Sequence, residues 1–512
     1  MTFPWLTVLG AMPLVGALVV ALWPGAGREA LHKTIALAVS LLVLVLTVVV
    51  AVQFDPDGGM QFVEDREWIS LFGAHYALGL DGIGLLMVLL TAILTPVVIL
   101  ASWNDAEGGR WSVRSFFAWM LVLEGLSIGV FAATDVFLFY VLFEATLVPI
   151  YFLIGGFGGA RRSYAATKFL VYSLFGGLLM LAAVVGLYVV SADAGAPTYL
   201  LSDLSNLPMD QNTERLLFLG FFIAFAIKAP MWPVHTWLPD AASEGTPGTS
   251  VLLVSVLDKI GTFGMLRFCL GIFPEASQWA TPVVVVLAVF SVLYGALLAI
   301  AQDDMRRLIA YTSISHFGFI VLGIFVFNSQ GQSGATLYMF NHGLSTAALF
   351  LVTGFLISRH GTKRISDFGG IEKVAPVLAG VFLVAGLSSL SLPGLSPFIS
   401  EFLVLTGTFS ASIPAAAFAT FGIVLAALYI LLMYQRTMTG PIRPELAATP
   451  DLNTREVVAL APLLLLIVVL GFFPKPALDV INPGVQATLE HVGVTDPQPT
   501  APATAGAEGN DQ

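Results

Sequence analysis

Charged residues and cysteine are both scarce in this sequence, and each shortage excludes a class of protein. Only 11% of the 512 residues are charged, against about 25% in soluble domains, while 57% are hydrophobic and the mean hydropathy is +0.88. The single cysteine, Cys269, cannot form a disulfide framework or hold an iron–sulfur cluster alone. We expect it to be a small buried side chain. The composition predicts a multi-pass membrane protein.

Basic residues are outnumbered and scattered. The 22 lysines and arginines face 33 acidic residues, so the net charge is −11 and no nucleic-acid partner is expected. The N-terminal residues MTFPWLTVLG lack the basic segment that precedes a cleavable signal, which predicts that the first apolar run is retained. The residues from Gly493 onward are rich in proline, alanine, threonine and glycine, and we expect them to be disordered.

Long apolar runs, in contrast, are abundant. A helix of about 20 residues crosses the hydrocarbon core of a bilayer. Fourteen runs approach or exceed that length, which predicts an all-α polytopic membrane fold surrounded by lipid. The runs are 4–23, 31–53, 78–102, 113–132, 135–155, 164–191, 214–238, 247–270, 277–301, 304–327, 334–358, 376–407, 413–436 and 456–473.

The positions of the basic residues predict how the chain is oriented. If the N-terminus lies outside, 16 of the 22 lysines and arginines fall in loops on the inner side. The positive-inside rule therefore predicts that both termini lie outside a bacterial cytoplasmic membrane. The loop between the second and third runs carries five acidic residues from Asp55 to Glu67, and we expect a solvated external loop.

Two runs are interrupted by proline beside a charged residue. The seventh reads FAIKAPMWPVHTWLPD, in which Pro230 and Pro233 follow Lys228, and the twelfth reads LSLPGLSPFISEF, in which two prolines precede Glu401. A helix break frees backbone groups that lipid cannot satisfy, so it must be buried in protein or line a cavity. The breaks lie five runs apart, an odd number, so two corresponding units would have opposite orientations. This pattern is typical of transporters with inverted repeats.

Ionisable residues inside the apolar runs are few, and they lie on different helices. Each one alone is almost equally well explained as a buried ion pair or a hydrogen-bonded core residue. Together, carboxylates, lysines and histidines are the components of a proton relay, because burial brings carboxyl and lysine pKa values toward neutrality and histidine titrates there already. Arginine is unsuitable because its pKa stays above about 12. The residues are Glu124, Glu144, Lys228, Asp258, Lys259, His316, His342 and Glu401.

Specific roles can be predicted for some of these side chains. A buried Glu144 that faces Lys228 would hold the lysine charged, and movement of the carboxylate would release the proton. His316 suits an intermediate position in the relay. His235, beside the first break, is as well explained by helix capping or packing.

Motifs for cofactors are missing. The glycine run IGGFGG at 154–159 follows an apolar run rather than a strand and lacks the lysine of a phosphate-binding loop. We therefore predict a turn followed by a helix start. Without a cysteine cluster or a dinucleotide motif, the sequence reveals no redox cofactor in this chain.

Seven stretches of the sequence resemble one family. They are FLFYVLFEATLVPIYFLIG, ATKFLVYS, KAPMWPVHTWLPDA, DKIGTFGMLRF, AYTSISHFGF, NHGLSTAALFLVTG and LPGLSPFISEF. On these residues the chain resembles the antiporter-like proton-channel subunits of respiratory complex I, and most closely their M type, the bacterial relatives of mitochondrial NADH dehydrogenase subunit 4. The likeness is strong over residues 115–405 and weak at the ends. The lysine-and-double-proline segment also resembles Mrp-type antiporters.

The resemblance implies a fourteen-helix fold with two inverted five-helix repeats, each contributing a half-channel. It also implies proton pumping that is driven by quinone reduction elsewhere in an NADH:quinone oxidoreductase. By the matching motifs, Glu144 resembles the glutamate that pairs with Lys228, and Lys259 resembles the central lysine. His316 resembles a connecting relay residue, and Glu401 resembles the terminal group of the second half-channel.

The implied repeats divide the chain into sections. Residues 1–112 would hold the first three helices, 113–270 the first repeat, 277–436 the second repeat, 437–492 the last span with its flanks, and 493–512 the tail. The implied partners are the other membrane-arm subunits of complex I. Flavin, iron–sulfur clusters and quinone are expected in partner subunits and not in this chain.

Two positions depart from the family pattern. Ala242 stands where the family often has histidine, which removes any relay through that position. Asp258 stands where an apolar residue is common, directly before Lys259. Consecutive residues lie about 100° apart on a helix, so the two side chains are not expected to face each other. Asp258 either tunes Lys259 or partners another helix.

Two other functions remain open at this level. A subunit of a multisubunit Mrp-type cation/proton antiporter or of a membrane-bound hydrogenase would carry the same segments, and co-purification with flavin and iron–sulfur proteins separates these alternatives. A membrane scaffold with no conducting role would have to explain why charged residues stand beside both helix breaks.

Overall fold

The computed structural model describes residues 3–23, 27, 29–107 and 111–496, which are mostly helical. The part before the first break comprises α1 (Trp5–Leu22), α2 (Glu29–Gln53), strands β1 (Gln61–Ile69) and β2 (Ala74–Leu80), α3 (Gly82–Ala101), α4 (Val113–Ala132), α5 (Val136–Ala145), α6 (Leu147–Phe157), α7 (Arg162–Asp193), the one-turn α8 (Leu201–Leu204) and α9 (Gln211–Lys228). The remainder comprises α10 (Trp237–Glu244), α11 (Pro247–Ile272), α12 (Pro274–Ile300), α13 (Met305–Phe325), α14 (Ser329–His360), α15 (Pro376–Ser389), α16 (Ser396–Ala411), α17 (Ile413–Met438), α18 (Thr454–Phe472) and α19 (Lys475–Val492).

Twelve helices in the described ranges are long and apolar enough to cross a membrane, with α5 and α6 taken together. They correspond to all the predicted runs except 214–238 and 376–407, the two that are interrupted by proline. A polytopic helical membrane fold is thus confirmed, while the number fourteen stays a prediction.

The first predicted break is present. Helix α9 ends at Lys228 and α10 begins at Trp237, because proline cannot donate a backbone hydrogen bond and its ring clashes with the preceding turn. Two side-chain contacts satisfy backbone groups near the break. The backbone N–H of Trp232 donates to Ser291 Oγ of α12 at 2.9 Å, and Trp237 Nε1 donates to the carbonyl of Ile227 at 3.0 Å.

The second predicted break is present as well. Helix α15 ends at Ser389 and α16 begins at Ser396. Two residues between them have left-handed backbones, Ser391 with φ +59° and Gly394 with φ +92°. The carbonyl of Gly394 lies so close to α18 that a Cβ added at Gly471 would be 2.2 Å from its oxygen. Glycine at 471 therefore allows α18 to support the broken segment.

A β-hairpin corrects two of the predictions. Strands β1 and β2 pair antiparallel where we expected a solvated loop in an all-α fold, and residues 78–80 extend β2 rather than begin α3. The acidic residues are not all solvated, because Glu64 accepts hydrogen bonds from Leu6 N–H at 2.7 Å and from Thr7 Oγ1 at 2.5 Å, which caps the start of α1. Strand β1 reads QFVEDREWI, and its run of charged residues interrupts the alternation of polar and apolar residues by which a strand is recognised.

The helices form a buried centre and an exposed periphery. The most apolar segment of α11 is entirely buried, whereas only 28% of the equivalent segment of α2 is buried. Helices α3, α13 and α14 are also mostly buried, while the apolar outer faces of peripheral helices suit contact with lipid. At one end, here called the arginine-rich end, the segments with Arg307 and Lys363 approach α10. At the other, the hairpin end, lie the β-hairpin and α19.

Three smaller predictions can also be compared with the structure. Cys269 is buried, as expected. The glycine run ends α6 and turns into α7, and the N–H of Gly159 donates to the Glu244 carbonyl at 2.8 Å. Of the predicted tail, Gly493 closes α19 with a left-handed backbone, and the part from 497 onward lies outside the described residues.

Candidate functional site

Lys228 is the last residue of α9, where a cation interacts favourably with the negative end of the helix dipole. Its side chain is buried, with 1% exposed. The Nζ atom donates to Thr146 Oγ1 at 3.4 Å and lies 4.7 Å from the centre of the Phe143 ring. Both contacts come from the junction of α5 and α6, so the break positions Lys228 against that junction.

Glu144 lies at the same junction but does not contact Lys228. No ion pair within 4.0 Å joins them in the described part of the chain, although their charges are close enough to interact. The Glu144 carboxylate instead packs against Gly177 of α7, where an added Cβ would be 1.9 Å from Oε1. Glu144 is partly exposed at the side of the protein, and its Oε1 has no hydrogen-bond partner among the described residues.

Two wide helical turns flank Asp258 and Lys259 in α11. Residues Leu252–Leu257 and Met265–Cys269 form π-helix, a distortion that is common at functional sites. The carbonyl of Val254 accepts a hydrogen bond from Lys259 Nζ at 2.7 Å. The Asp258 carboxylate points elsewhere, fully buried, and neither oxygen has a hydrogen-bond partner within the described ranges. Its charge interacts with both Lys228 and Lys259.

A line of polar contacts runs from Lys259 through the buried centre to Glu401. Lys259 Nζ is 2.7 Å from His342 Nδ1, and the centres of the His342 and His316 rings are 5.2 Å apart. His316 Nδ1 is 2.5 Å from the Tyr338 hydroxyl, which donates to Glu401 Oε2 at 2.9 Å. Helices α11, α14, α13 and α16 thereby contribute to one line of groups, which has a single gap between the two imidazole rings.

The partners of each group determine where its hydrogen lies. An ammonium can only donate, so His342 Nδ1 accepts from Lys259 and a neutral His342 carries its hydrogen on Nε2. The Tyr338 hydroxyl gives its hydrogen to Glu401, so it accepts from His316 Nδ1, which leaves Nε2 of His316 as an acceptor. The Nε2 atoms of both rings have no protein partner in the described part of the chain. All donors in the line therefore point toward Glu401.

Glu401 is held by one residue within the second break and by one residue of α14. Ser391 Oγ, within the break, donates a short hydrogen bond to the same Oε2 that accepts from Tyr338. Tyr429 of α17 is also buried nearby and interacts electrostatically with Glu401, but its hydroxyl has no hydrogen-bond partner among the described residues. Only 4% of Glu401 is exposed.

Two predicted residues stand apart from this line. Glu124 of α4 is buried, and neither of its oxygens has a partner in the ranges described. His235 lies in the first break, where its ring packs edge-on against Tyr294 with centres 5.2 Å apart. That contact is the packing role considered for His235, while the role of Glu124 stays a prediction.

Sequence reasoning missed Tyr338, although a signal exists. Tyr338 precedes His342 by four residues in α14, so the two side chains share one helix face. A tyrosine in an apolar run is usually a packing residue, and only its spacing from histidine indicates more. Ser391 was missed because a serine two residues before a proline carries no such signal.

Asp240 of α10 was missed too. It accepts hydrogen bonds from Lys168 of α7 at 2.7 Å and from Arg307 of α13 at 2.5 Å. Burial alone would raise the pKa of Asp240, but these hydrogen bonds lower it below its ordinary value. Asp240 thereby joins the helix after the first break to the helix that carries His316.

A cavity of about 520 Å³, lined by both charged and apolar side chains, lies at the arginine-rich end, where α11 begins. Its lining includes Asn104, Pro247, Arg359 and Glu456, the last two joined by an ion pair of 2.6 Å. Among the described residues, no group of three or more histidine, cysteine, aspartate or glutamate side chains is placed to hold a metal ion.

Buried lysine, histidine, tyrosine and glutamate side chains in one line, together with two broken helices, are the features expected of a polytopic membrane transport protein. The family model described as NADH:quinone oxidoreductase/Mrp antiporter, TM matches residues 133–426. The chain belongs to this family.

More specific likenesses separate the branches of the family. A curated relative, NADH-quinone oxidoreductase subunit M of Mycobacterium tuberculosis, is 52% identical to this chain. The match covers 97% of this chain and 96% of the relative. A chain in the structure of respiratory complex I from Thermus thermophilus with bound NADH is 32% identical, with a TM-score of 0.87, and the match covers 96% of this chain and 100% of that one. A chain of the Mrp complex from a Dietzia species has a TM-score of 0.85 and the same coverage, but at 23% identity it shares the fold alone.

Proposed function

We propose that this chain is a proton-translocating membrane subunit of an NADH:quinone oxidoreductase. The observation that supports it most strongly is the buried line from Lys259 to Glu401, in which all hydrogen-bond donors point in one direction. Charged residues are costly inside a membrane, so a connected set that spans four helices is better explained by transport than by stability.

The net reaction along the line moves one proton. Lys259 loses a proton from its ammonium group to His342 Nδ1, and Glu401 gains one on Oε2. His342 gives its Nε2 hydrogen toward His316, and a water molecule between the two rings is the ordinary partner for such buried nitrogen atoms. Each intermediate group receives one proton and releases one, so only the two ends change charge.

Glu144, Lys228 and Asp258 form the first half of the proposed path. Lys228 and Asp258 are buried, and the Asp258 carboxylate interacts electrostatically with both Lys228 and Lys259. Because Glu144 is near Lys228 without contacting it, a small movement of the Glu144 carboxylate would alter how firmly Lys228 holds its proton. We propose that the movement of the Glu144 carboxylate changes the charge of Lys228, at the first break, and that Lys259 responds to this change.

The two breaks correspond to each other in the proposed inverted repeats, 113–270 and 277–436. The sections 1–112 and 437–492 would flank them, with 493–512 as a tail. The cavity at the start of α11 would give protons access from the arginine-rich end, which we place in the cytoplasm of a bacterium by the positive-inside rule. Both termini would then lie outside.

The redox chemistry would take place elsewhere. The relatives are named as NADH-quinone oxidoreductase subunits, and one matching structure is of a complex I with bound NADH. We propose that the partners of this chain are other membrane-arm subunits of such a complex, that flavin, iron–sulfur clusters and quinone belong to those partners, and that this chain holds none.

The alternative is a subunit of an Mrp-type antiporter or a membrane-bound hydrogenase. The family model spans both complex I and Mrp proteins, and the Mrp structure has nearly the same TM-score as complex I. Sequence identity favours complex I, at 52% and 32% against 23%.

Alanine at either buried lysine tests the proposal. Lys228→Ala and Lys259→Ala each remove a proton carrier, so we expect NADH-driven proton uptake into inverted membrane vesicles to fall at least about tenfold while the complex still assembles. Glu144→Ala should behave in the same way. Lys475→Ala is the control, because that lysine is 82% exposed and pairs with the exposed Asp479. Full pumping in the two buried-lysine variants would rule out the proposed function.

A further inference from the structure

Tyr338 occupies the one position through which a proton can pass from His316 to Glu401 along described hydrogen bonds. Its side chain is fully buried in α14. Its hydroxyl touches a possible donor on one side, His316 Nδ1 at 2.5 Å, and an acceptor on the other, Glu401 Oε2 at 2.9 Å. No hydrogen bond joins His316 directly to Glu401 in the described part of the chain.

We propose that the Tyr338 hydroxyl is a proton-carrying residue of this path and not only a support for Glu401. This inference rests on the proposed function and adds the group that closes its last step. A phenol suits the task because one oxygen both donates and accepts, so it takes a proton on one side as it releases one on the other.

The step is balanced. The O–H bond of Tyr338 breaks as its hydrogen moves to Glu401 Oε2, and the Nδ1–H bond of His316 breaks as that hydrogen moves to the phenolic oxygen. The tyrosine is neutral before and after. A protonated His316 becomes neutral, and the Glu401 carboxylate becomes a carboxylic acid, so one positive charge moves from α13 to α16 without any redox partner.

The surroundings of Glu401 offer two matched comparisons. Ser391 donates to the same Oε2 atom and also lies beside the Tyr338 hydroxyl, so Ser391→Ala weakens the support of the carboxylate while His316, Tyr338 and Glu401 all remain. Tyr429 is a second buried tyrosine near Glu401 whose hydroxyl has no partner among the described residues. The first comparison removes a support of the carboxylate but no link of the path, and the second removes a buried hydroxyl that takes no part in the path.

The test is to compare Tyr338→Phe, Ser391→Ala and Tyr429→Phe in the assembled complex. Protons taken up per NADH oxidised are measured in inverted vesicles that contain equal amounts of complex. We expect Tyr338→Phe to lose at least about tenfold, as for other proton-transfer groups. Ser391→Ala should lose less, because it removes a support of Glu401 but no link of the path, and Tyr429→Phe should keep at least about half of the wild-type rate. Normal pumping by Tyr338→Phe, or an equal loss in Ser391→Ala, would overturn the inference.

A companion variant separates this inference from the function on which it rests. Glu401→Gln removes the end of the path without touching Tyr338. If Glu401→Gln and Lys259→Ala stop pumping while Tyr338→Phe does not, the proposed function survives and the role of Tyr338 fails. If all three pump normally, the proposed function itself fails.

Discussion

The Glu144 carboxylate lies directly against Gly177. A methyl group at this position would lie 1.9 Å from Oε1 and 2.5 Å from Cδ, so Gly177→Ala must displace a flexible carboxylate and not a backbone. Alanine also favours the helix by about 1 kcal/mol over glycine, so stability is not expected to fall. We expect slower proton uptake, by about threefold or more, in fully assembled complex, because a shift of the carboxylate changes its interaction with Lys228.

The matched control for this substitution is Gly155→Ala. An added Cβ at Gly155 would be 3.4 Å from Ala166, an ordinary packing distance, and would not approach a charged group. If both alanine variants pump at the wild-type rate, the position of the Glu144 carboxylate does not matter for transport.

Residue by residue, the sequence was most informative where a polar group stands out against an apolar run. Lys259, His316 and Glu401 were predicted to form a relay because their burial is costly, and the structure brings them into one line with His342. The line is completed by Tyr338, which is itself largely apolar and therefore does not stand out. The predicted contact between Glu144 and Lys228 depended on side-chain direction, which no sequence pattern specifies.

At the scale of elements, α10 depends on Asp240 for its attachment. The carboxyl side chain is 10% exposed and accepts from cations on α7 and α13. Asp240→Asn removes the charge that balances Lys168 and Arg307, so we expect a loss of about 2 kcal/mol in stability and a lower melting temperature of the purified complex. Asp479→Asn should change stability by only about 0.5 kcal/mol, because its ion pair is exposed.

The same ion pairs predict a pH dependence. The pKa of Asp240 is lower in the folded protein than its ordinary value, so its stabilising contribution is present above the ordinary pKa and is lost as the pH falls through the folded-state pKa. The difference in melting temperature between wild type and Asp240→Asn should therefore be full near pH ~7 and shrink below pH ~4. A difference that grows on acidification would contradict this account.

The second break depends on close contact between α18 and the backbone at Gly394. In Gly471→Ala the new methyl would lie 2.2 Å from the Gly394 carbonyl oxygen, which belongs to the backbone and cannot rotate away. We expect this overpacking to cost about 1–3 kcal/mol and to lower the yield of assembled complex. Gly380→Ala is the control, because nothing lies within 4 Å of an added Cβ there.

Helices and breaks that depend on neighbouring residues in the sequence could be predicted, whereas elements that depend on tertiary contacts could not. Both breaks follow from proline, whose effect on a helix does not depend on the rest of the fold. The β-hairpin depends instead on contacts made after folding, such as Glu64 with the start of α1 and Asp65 with His75 at 2.6 Å. The π-helical turns around Lys259 likewise have no signature in the sequence.

At the scale of the whole molecule, the composition of the assembled complex distinguishes the two candidate functions. Native mass spectrometry of the complex that co-purifies with this chain should find flavin- and iron–sulfur-containing subunits. The reason is that the proposed function draws its energy from NADH oxidation, and we propose that the flavin and iron–sulfur groups for that chemistry belong to the partner subunits. A complex made only of membrane antiporter subunits would contradict the proposal and support the Mrp alternative.

The common direction of the donors between Lys259 and Glu401 has a consequence for the transport cycle. After one proton passes, His342 carries its hydrogen on Nδ1, His316 carries its hydrogen on Nε2, and the Tyr338 hydroxyl points back toward His316. The line cannot conduct again in the same direction until both imidazoles exchange tautomers and the hydroxyl rotates. In the proposed function such a line delivers one charge per resetting event, so the rate of resetting sets the upper limit on any flow of protons down the membrane gradient.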